Sequence, residues 1–475
     1  MVADLNSFDS TQADELRGQR VTQLQFPTLP QRSIAFRPIH YLGSKLRLVS
    51  AVDALVARVA PAGRLCDLFA GSGTISVAAA VTRPVTSVDI QEYSRVVCSA
   101  MLLPPANAML LGRGVASDAR DSELMERLNQ SLAPLFEYES YCVTRALTGD
   151  AEPLCNFVEH GSIKWFLQTG ADAAAPMLRD ALRLATNSLE ANKLDSASGS
   201  LITRYFGGTY FSFRQAVDLD ALLDAAHASP AAVTDAALAP ILSTASETVN
   251  TIGKHFAQPI RPRGRDGLPK RHLVRQIIND RRTEVFSTHQ DWVTRYAGLP
   301  RTHTTHEAVR EDFKSFLASA PPDVGVFYAD PPYTRDHYSR FYHVLETMCL
   351  RDEPDVSTSM IRTGGKPQMG RGFYRTDRHQ SPFCIKSLAP AAFTSLFDGV
   401  RRYGVPLILS YSPYRENVAA RPRLMSVDQL VALARSKFRS VEVMSAGTFA
   451  HSKLNIRERN VSVSWDAEVL VTCLP

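Results

Sequence analysis

The sequence predicts an α/β protein whose mostly parallel sheet is split by a long, mostly helical insertion. Three observations carry that expectation. Short apolar, β-prone runs alternate with helical segments towards both ends of the chain. The middle of the chain reads instead as one alanine- and leucine-rich helix after another. Two of the apolar runs stop abruptly on residues suited to a ligand: DLFAGSGT at Asp67–Thr74 and DPPY at Asp330–Tyr333.

Taken in order, residues 1–32 are polar and mixed in charge and read as a tail. They lack the basic-then-apolar order of a signal peptide. GRLCDLFAGSGTISVAAAV reads as strand, glycine turn and helix, PVTSVDI as the next strand, and EYSRVVCSAMLL as a helix. This is the βαβ order of an open, Rossmann-like sheet. From about 118 to 303 the chain carries segments such as APMLRDALRLATNSLEANKL, broken by the aromatic patch RYFGGTYFSFRQ and then by a basic stretch. From about Glu307 the alternation resumes. VGVFYADPPY and VPLILSYSPY read as buried strands with their tips, HYSRFYHVLETM as a helix, and SVEVMSAGTF and AEVLVTCLP as closing strands. The expected division is a tail (1–32), a first part of the sheet-bearing domain (33–120), an insertion (121–304) and a second part of the sheet-bearing domain (305–475).

Composition excludes several classes. A chain of 475 residues, 45% hydrophobic and 21% charged, can bury a substantial core. No run of about 18 apolar residues suggests a membrane span, so a cytoplasmic protein with no membrane partner is expected. The seven cysteines are scattered and never spaced CxxC, which argues against a disulfide framework and a zinc site; no metal is expected. Net charge is +5. Between Arg261 and Arg282, eight cations face only Asp266 and Asp280. Such a stretch suits phosphates, although a solvated surface loop accounts for it equally well.

The chemistry sits at the two tips. Gly71 and Gly73 permit positive φ and close backbone approach. A GxG without GxxxxGK[ST] does not make a phosphate loop. Asp89 closes the next strand, where a carboxylate can accept from both hydroxyls of a ribose. In DPPY, Asp330 and the carbonyls around Pro331 and Pro332 are acceptors, because proline has no N–H to donate. Tyr333 offers a ring on which a flat base can stack. The tip is suited to holding a planar amine.

DLFAGSGT, an acidic strand end and ADPPY, in that order, resemble the S-adenosylmethionine-dependent DNA adenine-N6 methyltransferases. HYLGSKLRLV (His40–Val49) is similar to that family's N-terminal cofactor motif, and REDFKSFL (Arg310–Leu317) to its Asp-Phe motif. Cofactor motifs, a long insertion and then the catalytic motif is the order of the alpha, Dam-like class. The resemblance implies a methyltransferase sheet split by a target-recognition domain. It implies S-adenosyl-L-methionine held by Tyr41, Lys45, Phe69, Gly71, Gly73, Asp89, Asp312 and Phe313. Asp330, Pro331, Pro332 and Tyr333 would be catalytic. Double-stranded DNA would be the partner of a monomeric enzyme that methylates adenine N6. A role as the modification enzyme of a restriction–modification or similar system brings a separately encoded endonuclease as a further candidate partner. Three alternatives stay open: an RNA adenine-N6 methyltransferase, a non-catalytic nucleic-acid-binding protein on the same fold, and an NAD-dependent dehydrogenase, which the missing third glycine disfavours.

Lesser candidates have bland counterparts. YFGGTYFSFRQ either presents groups to DNA or is a glycine-broken core hairpin. Arg371, Arg375, Arg378 and His379 either contact phosphates, order a loop over the site, or are simply solvated. HSKLNIRERN (His451–Asn460) either lines the cleft or joins the last strands, and Tyr338 and Tyr342 read as core packing.

Overall fold

The structure, a computed structural model, describes residues 36–41, 43, 45–170, 173–302, 304–335, 337–359, 368–412, 424–445 and 468–475. The expected tail, the stretch His451–Asn460, and Leu42 and Ser44 of the N-terminal motif lie outside the described residues.

Seven strands form the main sheet: β1 (Arg64–Asp67), β2 (Val85–Asp89), β3 (Glu307–Arg310), β4 (Val324–Ala329), β7 (Leu407–Tyr411), β8 (Ser440–Ser445) and β9 (Val469–Leu474). A separate ribbon pairs β5 (Thr358–Ser359) with β6 (Gln368–Met369). The sheet order is β3-β2-β1-β4-β7-β9-β8. All neighbours from β3 to β7 run parallel, and β9 runs antiparallel to both β7 and β8.

The central strands are buried along almost their whole length because both faces are covered. Leu65, Val85, Val326 and Ile408 pack with the helices Val49–Val59 and Thr74–Ala79 on one face. Cys66, Val88, Phe327 and Leu409 pack with the helices Ala389–Arg401 and Val427–Arg435 on the other. All seven cysteines are buried and none is joined in a disulfide. Burial pushes the Cys66 thiol up to about 12, which removes it from thiolate chemistry.

Between β2 and β3, every regular element among the described residues is helical. The inner helices Ala108–Arg120, Phe213–His227, Thr234–Thr248 and Val285–Ala297 share one apolar core with Glu92–Leu102 and His343–Leu350. The outer helices Glu123–Leu147, Glu152–His160, Pro176–Ala191 and Arg271–Arg281 enclose a second core. The inner layer is thus continuous with the packing of the sheet-bearing part.

The aromatic patch belongs to this interior. Tyr205, Phe206, Tyr210, Phe211 and Phe213 are all buried, and Ser212 starts the next helix with a capping box to Gln215. Of its two sequence readings the core one holds for burial but not as a hairpin: the patch runs from the end of the helix Leu201–Phe206 through a turn into the helix Phe213–His227. A second cap bears on the site: buried Glu346 accepts from the backbone N–H of Glu92 and Tyr93, both at 3.1 Å. A carboxylate at a helix N-terminus is favoured by the orphan donors and the helix dipole, and here it anchors the helix that follows β2.

Candidate active site

In open parallel sheets ligands bind beyond the carboxyl ends of the strands, where the strand order reverses. That point lies between β1 and β4, since β2 and β3 extend one way and β7 the other. Both motif turns leave the sheet there. They border a cleft with about 810 Å³ of empty space, counting the part open to solvent.

The glycine turn is built as its residues require. Gly71 has φ 54° and Gly73 φ 72°, both in the left-handed region that glycine enters without strain. A Cβ on Gly71 would lie 2.6 Å from the Tyr41 hydroxyl, and one on Gly73 would strike Met101. The turn is tied to β2 through Asp89. Its Oδ2 accepts from the Gly71 N–H and its Oδ1 from the Gln91 N–H, both at 2.9 Å. Each carboxylate oxygen retains a second lone pair for a ligand hydroxyl. Burial raises the Asp89 carboxyl above its ordinary range, and the two N–H donors pull it back.

On the same cleft wall as Asp89 lies an aromatic cluster. The Phe69 and Phe313 rings stand 5.5 Å apart, and Phe383 meets them edge-on and tilted at 5.4 and 5.3 Å. Asp312 precedes Phe313 and caps the short helix Phe313–Phe316 by accepting from the Lys314 N–H at 2.9 Å. Tyr41 enters from the N-terminal motif and stacks on Tyr342, with centroids 4.9 Å apart and planes 9° apart.

At the other end is the DPPY tip, where a lysine organises the charges. Lys45 Nζ lies 3.2 Å from Asp330 Oδ1 and is also paired with Glu468. It stands 3.4 Å from the Tyr333 hydroxyl. Glu468 precedes β9 and accepts from Ser410 Oγ of β7 at 2.8 Å and from the Tyr333 hydroxyl at 3.4 Å. The Lys45 and Glu468 side chains are only 8% and 9% exposed, against 19% for Asp330. Burial raises the Asp330 carboxyl to about 7, with the Lys45 charge opposing the rise and that of Glu468 adding to it. Burial alone would lower Lys45, but the two carboxylates more than offset it and hold its ammonium well above the ordinary range.

Most of the residues assigned by the resemblance meet here. Tyr41, Phe69, Asp89, Asp312 and Phe313 line the cleft, and so do Asp330, Pro331, Pro332 and Tyr333. Gly71 and Gly73 shape the turn behind the wall, and Lys45 sits behind Asp330 rather than on the wall itself. The basic loop splits by role. Arg375 is buried, bonded to Asp352 Oδ1 at 2.7 Å and Asp377 Oδ2 at 2.8 Å, and Arg378 bonds Ser357 Oγ at 2.8 Å. Both order the segment, whereas His379 lines the cleft. Burial lowers the His379 imidazole, opposed by the carboxylates of Asp312 and Asp89.

Glu468 went unread in the sequence. Its only signal is an acidic residue at the start of a strand that is otherwise apolar. Tyr338, read as packing, both stacks near Tyr41 at 5.7 Å and lines the cleft. No family model matches the chain, and no curated protein matches it.

Proposed function

We propose that the protein transfers a methyl group from S-adenosylmethionine to the N6 amino group of adenine in DNA. One observation carries this: residues assigned by the resemblance from four separate stretches, around Tyr41, Phe69–Asp89, Asp312 and Asp330, border one cleft at the switch point of a parallel sheet. Chance matches to short strings have no reason to converge in space.

The residues present fit the cofactor. The Gly71 turn packs so closely on the cleft-lining Tyr41 that a side chain there would collide, so the turn brings bare backbone to the edge of the cleft. Asp89 offers spare lone pairs at the ribose end, and the cluster of Phe69, Phe313 and Phe383 offers an apolar surface for a flat ring. S-adenosylmethionine, when bound, supplies an electrophilic methyl group on a sulfonium. At the other end the Asp330 carboxylate and the Pro331 carbonyl accept from the target's amino group, and Tyr333 stacks on the base. Positive charge that develops on the nitrogen is stabilised by the preorganised Asp330 carboxylate. The amine then gives up its proton, and Asp330 can hold it at a carboxylate oxygen. Chemistry on a base within a duplex requires that base to be turned out of the stack.

The nucleic-acid side rests on charge. Within the basic stretch, Arg281 is buried against Glu139, and Arg263 pairs with Glu152 and Glu159. Arg261, Arg265, Lys270, Arg271, Arg275 and Arg282 remain exposed. Exposed cations of this kind suit a phosphate backbone. The test is tritium transfer from labelled S-adenosylmethionine to unmethylated genomic DNA, with total RNA and the Asp330→Ala protein in parallel. Label recovered as N6-methyladenine in DNA, and absent with the variant, is the expected result. Label in RNA alone would keep the chemistry and change the polymer. Label in neither would refute the proposal.

A further inference from the structure

Two arginines beside the DPPY tip carry charge that no carboxylate among the described residues answers. Arg340, on the short helix Tyr338–Phe341, is exposed, and its guanidinium lies 5.7 Å from the centre of the Tyr374 ring. The Arg378 guanidinium lies 5.7 Å from the same centre. Their neighbours differ: Arg310 pairs with Glu346, and Arg375 with Asp352 and Asp377. Arg378 is held in place, because its Nη1 donates to Ser357 Oγ at 2.8 Å and to the Arg375 carbonyl at 2.9 Å. Its Nε is buried without a partner. Burial lowers the Arg378 guanidinium from its ordinary range, and the Arg340 charge adds to the fall. Like charges that act on each other in this way are unfavourable until an anion joins them.

Their place indicates which anion. Arg340 follows Tyr338 and Ser339 in the chain, Arg378 precedes His379, and those three residues line the cleft together with Asp330. Ser339 Oγ ties the two segments by donating to the His379 carbonyl at 2.7 Å. A base turned out of a duplex stays bonded to its strand through its sugar, so the phosphates on either side of it are drawn to the mouth of the cleft. A guanidinium suits a phosphate because its planar fork offers two N–H donors to two oxygens. Resting on the methyl-transfer reading, we propose that Arg340, backed by the charge of Arg378, holds a phosphodiester that flanks the target nucleotide. This contact is separate from the exposed cations of the basic stretch, which belong to the helical segment between β2 and β3. It positions the target base at the tip, whereas those cations suit the duplex at large.

Salt dependence tests the contact, since each phosphate that a cation neutralises releases counterions. In Arg340→Ala, the plot of log kcat/KM for unmethylated DNA against log salt concentration should become less steep by about one, with kcat/KM roughly tenfold lower at moderate salt. Arg340→Lys keeps the charge and should restore the slope. Arg402→Ala removes an exposed arginine just before β7, at the opposite end of the parallel strands from the cleft, and should leave both quantities unchanged. A wild-type slope in Arg340→Ala, or an equal change in Arg402→Ala, would overturn the proposal. Binding of a fluorescent, adenine-rich single-stranded oligonucleotide, followed by anisotropy, needs neither extrusion of a base nor methyl transfer. The salt slope of its Kd should fall by roughly 0.7 in Arg340→Ala. An unchanged slope, or no binding by the wild type, overturns the proposal whatever the activity. Wild-type protein that moves no methyl group to DNA or RNA, while the oligonucleotide slope shifts as expected, sinks the methyl-transfer reading and leaves the phosphate contact standing.

Discussion

The two ends of the cleft each present a partly buried carboxylate, and they hold it by different means. Asp89 is bonded to the N–H groups of Gly71 and Gln91, donors that belong to the backbone and cannot leave. Asp330 is bonded to Lys45, a flexible side chain with an alternative partner in Glu468. A fixed partner preorganises a binding contact, and its geometry survives the arrival of a ligand. One end of the cleft is thus fixed by backbone donors and the other by a side-chain charge network.

Substitution is the most direct way to break the contrast. Asp330→Ala should reduce methyl transfer by at least about a hundred- to a thousandfold, as for the loss of a preorganised charge-stabilising group. Cofactor affinity, measured by calorimetry, should stay within a few-fold. Strong loss of both would mean that the two ends are not independent. Asp89→Ala should do the opposite, raising the cofactor Kd by roughly one to two powers of ten through loss of charged hydrogen bonds and of the tie to Gly71.

Titration sharpens the contrast further. An acid whose carboxyl is raised to about 7 is protonated below that pH, and a protonated oxygen no longer accepts. Hence kcat/KM should fall about tenfold per unit as pH drops below 7 and level off above it. The cofactor Kd should move less over the same interval, because the backbone donors at Asp89 favour its ionised form. A cofactor affinity that collapsed in step with activity would contradict this. The smallest effect is expected at His379, which lines the Asp89 end without a fixed role in the turn. His379→Ala should raise the cofactor Kd about three- to tenfold, the range of one neutral hydrogen bond, with kcat at saturating cofactor unchanged.

Much of this was legible before any coordinates because tip chemistry is local. A strand ending in GxG, or in two prolines flanked by an acid and an aromatic, states its geometry in adjacent residues. The aromatic patch at Tyr205–Phe213 was ambiguous for the converse reason. Buried and exposed aromatics look alike in a sequence, and only packing into the shared core separates them. The basic stretch mixed two populations that composition cannot sort. Arg281 is locked to Glu139, distant in the chain, while Arg271 and Arg275, on the same helix, are exposed.

The residue order alone was enough for a mostly parallel α/β sheet, for a long helical segment between its halves, and for the two strand tips that border the cleft. Each follows from periodicity or from the stereochemistry of glycine and proline within a few neighbouring residues. Tertiary structure decided the rest. It joined the helical segment's inner layer to the core beside the sheet, turned Arg375 inward and His379 toward the cleft, and set Glu468 against Lys45 across most of the chain. Pairings of that kind depend on which strands become neighbours, and the order β4-β7-β9 that brings Asp330, Ser410 and Glu468 together exists only in the folded sheet.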